Sequence, residues 1–316
     1  MKAAILHTYG EPPRYGEFRE PEPREGEQLV EVTAAALTNL ARSRAAGTHY
    51  SDHGELPAIV GVDGVGVLAD GRRVFFTGPR EPFGSMAQRS LASRRTFPVP
   101  DGLDDLTAAA LLNPGVSAWT SLAHRAELRP GERVLILGAT GVTGKLAVQA
   151  ARSMGAGEIV AAGRNRESLR RVGELGADVT IELDQDPGAA FAEAVGDKGF
   201  DVVIDYLWGP PIEALLGALG RADLHAASRR TRLVHVGGMA GPSITLPGSA
   251  LRSSDLVIIG TGTGSWNPVQ LAESVEHVMR GAVAGELTID ARPVPLAEVE
   301  SVWNLDGKGT RTVLIP

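Results

Sequence analysis

The stretch from Arg133 to Arg166, RVLILGATGVTGKLAVQAARSMGAGEIVAAGRNR, constrains the fold more than any other part of this sequence. It opens on the apolar run Val134-Leu135-Ile136-Leu137 after a Pro130-Gly131 turn signal, the pattern of a strand buried in a parallel sheet. Gly138, Gly141 and Gly144 follow at even spacing. Behind them Leu146, Ala147, Ala150, Ala151 and Met154 recur at helical spacing, and Gly155 is placed to stop the helix. The glycines therefore lie between a strand and a helix. There a tight turn, close approach of backbone to a pyrophosphate, and hard packing of helix on strand each exclude a side chain. The order G-x-x-G-x-x-G differs from the commoner G-x-G-x-x-G but meets similar needs. Thr140, Gly141, Val142 and Thr143 would then offer free N–H groups and the positive end of the helix dipole to a dinucleotide's diphosphate. A purely structural turn is the competing reading. A triphosphate loop is excluded by position, because the places where it needs Gly and Ser or Thr hold Ala139 and Leu146.

The next strand, Glu158 to Ala162, bears on which dinucleotide is bound. An NAD site usually has an acid at the carboxyl end of this strand, on the ribose 2′-hydroxyl. Glu158 fits the residue count but stands at the strand's start, and the carboxyl end reads Gly163-Arg164-Asn165-Arg166. A guanidinium there suits the dianionic 2′-phosphate of NADPH through charge-assisted hydrogen bonds. NADPH is therefore expected over NADH; the alternative is that Arg164 is a solvated loop arginine.

At 316 residues the chain suits one large domain or two ordinary ones. A net charge of −7 argues against an electrostatic nucleic-acid binder, although 27 of the 31 basic residues are Arg. There is no cysteine, which excludes disulfides, thiolate chemistry and every Cys-bearing zinc site. No run approaches 18 apolar residues, and the apolar start Ala3 to Leu6 is too short for a signal peptide, so no membrane span is expected and the cytoplasm is the default location.

Around the glycine unit the pattern changes character. The first third, with strands expected at 1–9, 28–34, 58–69 and 72–77, is β-rich. A helical pattern starts at Leu106, is interrupted at Asn113-Pro114-Gly115 and resumes through Leu122. After the glycine unit, strands at 178–183, 201–206, 232–236 and 256–260 alternate with helical patterns at 188–195, 212–227 and 268–284. The expected class is α/β: a doubly wound parallel sheet over 114–285, and a discontinuous β-rich domain from 1–113 and 286–316, with a cleft between them.

Four segments carry a family resemblance: MKAAILHTYGEP at the start, GVDGVG at 61–66, RPGERVLILGATGVTG at 129–144, and VGG at 236–238. Together they resemble the medium-chain dehydrogenase/reductase superfamily, specifically its zinc-free quinone oxidoreductase branch, which includes zeta-crystallin, over essentially the whole chain. The resemblance implies a Rossmann domain and a GroES-like domain. It also implies a homodimer, to which an open edge at the last sheet strand, near Leu256 to Gly260, adds a physical reason. The zinc-dependent members carry cysteines and a GHE-type motif; here that position reads Gly61-Val62-Asp63, so catalytic zinc lacks its ligands. His49, Asp52 and His53 would need a helix to converge, and they lie in loop-like text. In the zinc-free branch an Asn and a Tyr eleven residues later face the nicotinamide, and Asn39 and Tyr50 have that spacing. The phenol would donate a hydrogen bond to a carbonyl or quinone oxygen. A loop amide and a loop aromatic are the plain alternatives. The family's Thr-Ala-Tyr segment corresponds to Ser117-Ala118-Trp119, which retains a hydroxyl. Val236, Gly237 and Gly238 would run beside the nicotinamide, and the turn from Thr261 to Gly264 would line the same cleft or be merely flexible. Two departures stand out: Leu183 where some relatives have Tyr near the adenine, and Arg42 where Asp is usual. The implied activity is NADPH-dependent, metal-free hydride transfer to a quinone or activated enone. An enoyl-thioester reductase, to which Asn113-Pro114 points faintly, and a protein that binds NADPH without turnover are the alternatives.

Overall fold

In the computed structural model, which describes every residue except 52, 93–95, 184–185, 221–229, 306 and 308, the chain divides into two compact units. The first comprises Met1–Asn113 with Met279–Pro316, and the second Pro114–Val278.

Short apolar segments punctuated by Gly and Pro make the first unit a sheet structure. Its strands are β1 (Lys2–Leu6), β2 (Arg14–Glu17), β3 (Gln28–Ala36), β4 (Ala58–Ile59), β5 (Asp63–Leu68), β6 (Arg73–Thr77), β7 (Arg89–Ala92) and β8 (Thr96–Pro98), with helix α1 (Asn39–Ala45) after β3. Strand β3 shows why alternation matters: Val30, Val32 and Ala34 are buried while Gln28 and Glu31 are exposed. It pairs with β5, where Gly66 lies so close that a Cβ would stand 2.3 Å from Glu31 O. Helix α2 (Asp105–Thr120) then runs unbroken through Pro114, where an interruption was expected.

In the second unit, β9 (Arg133–Leu137), α3 (Val142–Ser153), β10 (Glu158–Gly163), α4 (Arg166–Glu174), β11 (Val179–Glu182), α5 (Gly188–Val195), β12 (Val202–Asp205), α6 (Gly209–Leu219), β13 (Thr231–His235), α7 (Gly248–Ser253), β14 (Leu256–Gly260) and α8 (Pro268–Val283) follow one another. The six strands are all parallel, in the order β11-β10-β9-β12-β13-β14. The chain thus winds outward one way from β9, returns, and winds outward the other way, which opens a crevice at the carboxyl ends of β9 and β12. Residues 134–137, 159–162 and 202–204 are wholly buried, as central parallel strands require. The helix expected at 212–227 ends at Leu219, and 221–229 lie outside the described residues.

The chain re-enters the first unit at Met279, within α8 rather than after it at 286. It then adds β15 (Ala291–Pro295), α9 (Val299–Val302) and β16 (Arg311–Ile315). Strand β16 pairs antiparallel with β3 and parallel with β15, so the C-terminal segment completes the seven-stranded sheet begun by the N-terminal one. Leu6, Val30, Phe76, Met86, Trp303 and Leu314 share one core there. Among the described residues, no helix is long and apolar enough to cross a membrane.

Candidate cofactor site

The three glycines of the β9–α3 turn do different work. Gly138 has φ of +80°, a conformation that favours glycine. Gly144 packs against the turn so tightly that a Cβ would lie 2.3 Å from Gly138 O and 2.6 Å from Ala139 Cα. Gly141 is the N-cap of α3 and has ordinary φ of −74°, with no side chain to cap the helix. The N–H groups of the first turn thus meet no capping side chain, and Lys145 N is the first to close on Gly141 O. A helix end of this kind can receive an anion.

Beside it, Gly163 ends β10 and faces Thr140: a Cβ on Gly163 would fall 2.5 Å from Thr140 Cγ2. Thr140, Gly141, Val142, Thr143, Gly163, Arg164 and Asn165 are therefore brought to the carboxyl ends of two adjacent strands. Their roles separate. Asn165 is the N-cap of α4, its Oδ1 accepting from Ser168 N at 2.7 Å. Arg164 is exposed and makes no hydrogen bond or ion pair with any described residue. Arg166 is engaged through Nε by Glu182 at the end of β11. Glu158, at the other end of β10, pairs with Arg133.

On the far side of β9, the ends of β12 and β13 hold a cluster that sequence reading missed. The buried Asp205 carboxylate accepts from Leu207 N at 2.9 Å and from Trp208 N at 3.1 Å, fixing a turn in which Trp208 and Gly209 both have positive φ. Its Oδ2 faces His235 Nδ1 at 3.5 Å, and the His235 ring packs on Trp208 with centroids 4.2 Å apart. Val236 N and Gly237 N both donate to Asp205 O, at 2.8 and 3.3 Å. Gly238 is exposed. Thr261 N donates to His235 O at 3.0 Å, and Thr261 Oγ1 accepts from Trp266 Nε1 at 3.0 Å, so that hydroxyl is held by an indole. Ser117 lies in the last turns of α2, and its carbonyl accepts from Ser121 Oγ. The Tyr206 hydroxyl is buried with no partner among the described residues, and burial pushes its phenol above the usual tyrosine range. The glycine cradle, the helix end without a capping side chain and Arg164, unpaired among the described residues, fit a dinucleotide.

The first unit carries the other two candidates. Asn39 opens α1 behind the N-cap Thr38, whose side chain accepts from Ala41 N at 3.1 Å. Tyr50 is 77% exposed and packs on His49, with centroids 4.0 Å apart. His49 Nδ1 contacts Ser51, whereas His53 is buried with Nδ1 facing Glu81, so the two histidines turn to different partners; Asp52 lies outside the described residues. Asp63 is buried, accepts from Asn113 Nδ2 at 2.7 Å, and has its carboxyl pushed up to about 7 by burial, against the pull of Asn113 and Arg311. Arg42 donates to the carbonyls of Trp303 and Leu305.

These features define an α/β protein with a dinucleotide site on a doubly wound sheet, joined to a β-rich unit. The profile of a family described as zinc-binding dehydrogenase matches residues 142–278. A probable NADPH-dependent quinone reductase of Emericella nidulans is 29% identical, with the whole of both chains covered. A 2-haloacrylate reductase of a Burkholderia species is 28% identical over 99% of this chain and 97% of its own. Among solved structures, the quinone oxidoreductase of Thermus thermophilus, described with its NADPH complex, covers all of both chains at 29% identity and a TM-score of 0.82. The chain is thus similar, over its whole length, to quinone oxidoreductase-like members of the medium-chain dehydrogenase/reductase superfamily.

Proposed function

We propose that this chain is an NADPH-dependent reductase that delivers a hydride to a quinone or an activated enone without a catalytic metal. The observation that carries the reading is Arg164, uncommitted at the end of β10 beside the Gly138–Gly144 turn. NADPH supplies the hydride chemistry when bound; the protein's part is to hold and orient it. In this reading Thr140, Gly141, Val142 and Thr143 hold the diphosphate, and Gly163, Arg164 and Asn165 shape the 2′-phosphate subsite. Ser117, Val236, Gly237, Gly238 and Thr261 form the nicotinamide end. Asn39 orients the acceptor, and Tyr50 donates a hydrogen bond to its oxygen as negative charge develops there.

The metal-free part rests on ligand chemistry: the chain has no cysteine, and Val62 stands where the zinc-dependent relatives have His. Purified protein should hold no stoichiometric zinc, and chelator should leave its reductase activity intact; about one zinc per chain by metal analysis would overturn this. An enoyl-thioester reductase is the alternative reading, and acyl-thioester enones assayed beside simple quinones would separate the two. The proposed enzyme is a cytoplasmic homodimer with a small-molecule substrate and no nucleic-acid partner. Its test is NADPH oxidation across a panel of quinones and enones. Turnover of at least one class is expected; tight NADPH binding with no turnover of any acceptor would make the chain a binding or sensing protein instead.

A further inference from the structure

Glu182 is the last residue of β11, and the parallel register places it opposite Gly163 at the end of β10. Leu183 N donates to Gly163 O at 2.8 Å, which ties the two strand ends together where the chain enters Gly163-Arg164-Asn165. Arg166 is the first residue of α4, fixed by the Asn165 cap, and it turns its guanidinium onto Glu182. Among the described residues, the backbone thus holds two arginines and one carboxylate at one place, with Arg164 unpaired and Arg166 taken. The pair is not locked: the Arg166 side chain is 86% exposed and that of Glu182 37%. An ion pair so open to water is weak, and a dianionic phosphate can compete for it.

We propose that Glu182 is a positioning residue for cofactor selection: by holding Arg166 away from the ribose 2′ position, it moderates the chain's preference for NADPH over NADH. The proposal rests on the reading of Arg164 as a 2′-phosphate ligand. NADPH must draw Arg166 off Glu182, or bind beside a carboxylate that repels its phosphate. NADH brings a neutral 2′-hydroxyl, which a carboxylate tolerates and can accept a hydrogen bond from. One side chain therefore acts in opposite senses on the two cofactors.

The test is calorimetric affinity of the full-length protein for NADPH, NADH and 2′,5′-ADP, in wild type, Glu182→Gln, Arg166→Ala, the double variant and Arg164→Ala. Glu182→Gln keeps the shape of the side chain and removes its charge. It should tighten NADPH and 2′,5′-ADP by roughly 1.5- to 5-fold, the span of a weak surface ion pair, and leave NADH unimproved. In the Arg166→Ala background that gain should vanish. No gain for NADPH, an equal gain for NADH, or a gain that persists without Arg166 would overturn the proposal. Arg164→Ala reports separately: undiminished NADPH affinity there removes the reading beneath, whatever Glu182 does.

Discussion

A single arginine decides much of the cofactor reading, and its neighbours show why. Arg164 has no partner among the described residues, Asn165 is spent on capping α4, and Arg166 is spent on Glu182. Arg164→Ala should therefore remove a charge-assisted contact of about 1.5–3 kcal/mol, a roughly 10- to 150-fold weaker grip on NADPH, with NADH affinity hardly changed. Titration of both cofactors against the variant checks this, and equal losses for the two would indicate general damage instead. Asp63 offers a residue-scale prediction about stability. Its carboxyl is raised from 3.8 to about 7, so between those values the folded chain holds a proton that the unfolded chain has released. Stability from this group is fully present below about pH 4, falls as pH rises through 7, and is flat beyond, by up to about 4 kcal/mol. Asp63→Asn removes the titration while leaving an acceptor for Asn113. Denaturant unfolding should show wild type losing ground to the variant between pH 4 and 7; parallel stability curves would refute the assignment.

At the scale of the element, the β9–turn–α3 unit separates glycines that the sequence lists alike. Gly144→Ala would drive a methyl into Gly138 O and the Ala139 backbone, a clash expected to cost about 1–3 kcal/mol or more. At Gly141 a Cβ would meet Gly138 O at an ordinary 3.5 Å, with φ already in the common range. Gly141→Ala should therefore melt close to wild type yet bind NADPH less tightly, because the methyl sits where the diphosphate must approach. Thermal melts and cofactor titration on the pair distinguish folding glycine from ligand glycine; a Gly141→Ala variant with full NADPH affinity would count against the cradle. This unit was legible beforehand because its signals are local: an apolar run, three glycines and a helical period. The pairings across it were not. Glu182 meets Arg166, and Asp205 meets His235, only through the register of neighbouring parallel strands. Alternation marks the strands, but the partner at each strand end comes from sheet order. The helical pattern read on both sides of Asn113-Pro114-Gly115 is a single helix, because α2 carries straight through Pro114.

For the molecule as a whole, the β-rich ends were readable as belonging together because both are strand-like around a nucleotide unit, and β16 pairs with β3. The exact point of return was not readable, because α8 spans it. The whole-molecule prediction concerns assembly, and it follows from the two open edges of the parallel sheet. Strand β11 is four residues long, with Val179 and Thr180 exposed and Glu182 at its end, a guarded edge. Strand β14 is less guarded: Leu256, Val257, Ile258 and Ile259 are all apolar and all partly exposed, with Arg125 capping only the Gly260 carbonyl at its end. Because Thr261 N donates inward to His235 O, the two-residue period of a strand turns the Ile258 N–H away from β13. That outward donor is available to a second copy of the chain. Wild-type protein should therefore run as a dimer across micromolar concentrations. Ile258→Pro deletes the outward N–H without touching the ladder to β13, a substitution that edge strands accept, and should raise the dimer dissociation constant at least about tenfold. Analytical ultracentrifugation of both proteins decides: a monomeric wild type ends the edge-pairing reading, and a dimer that survives Ile258→Pro places the interface away from β14.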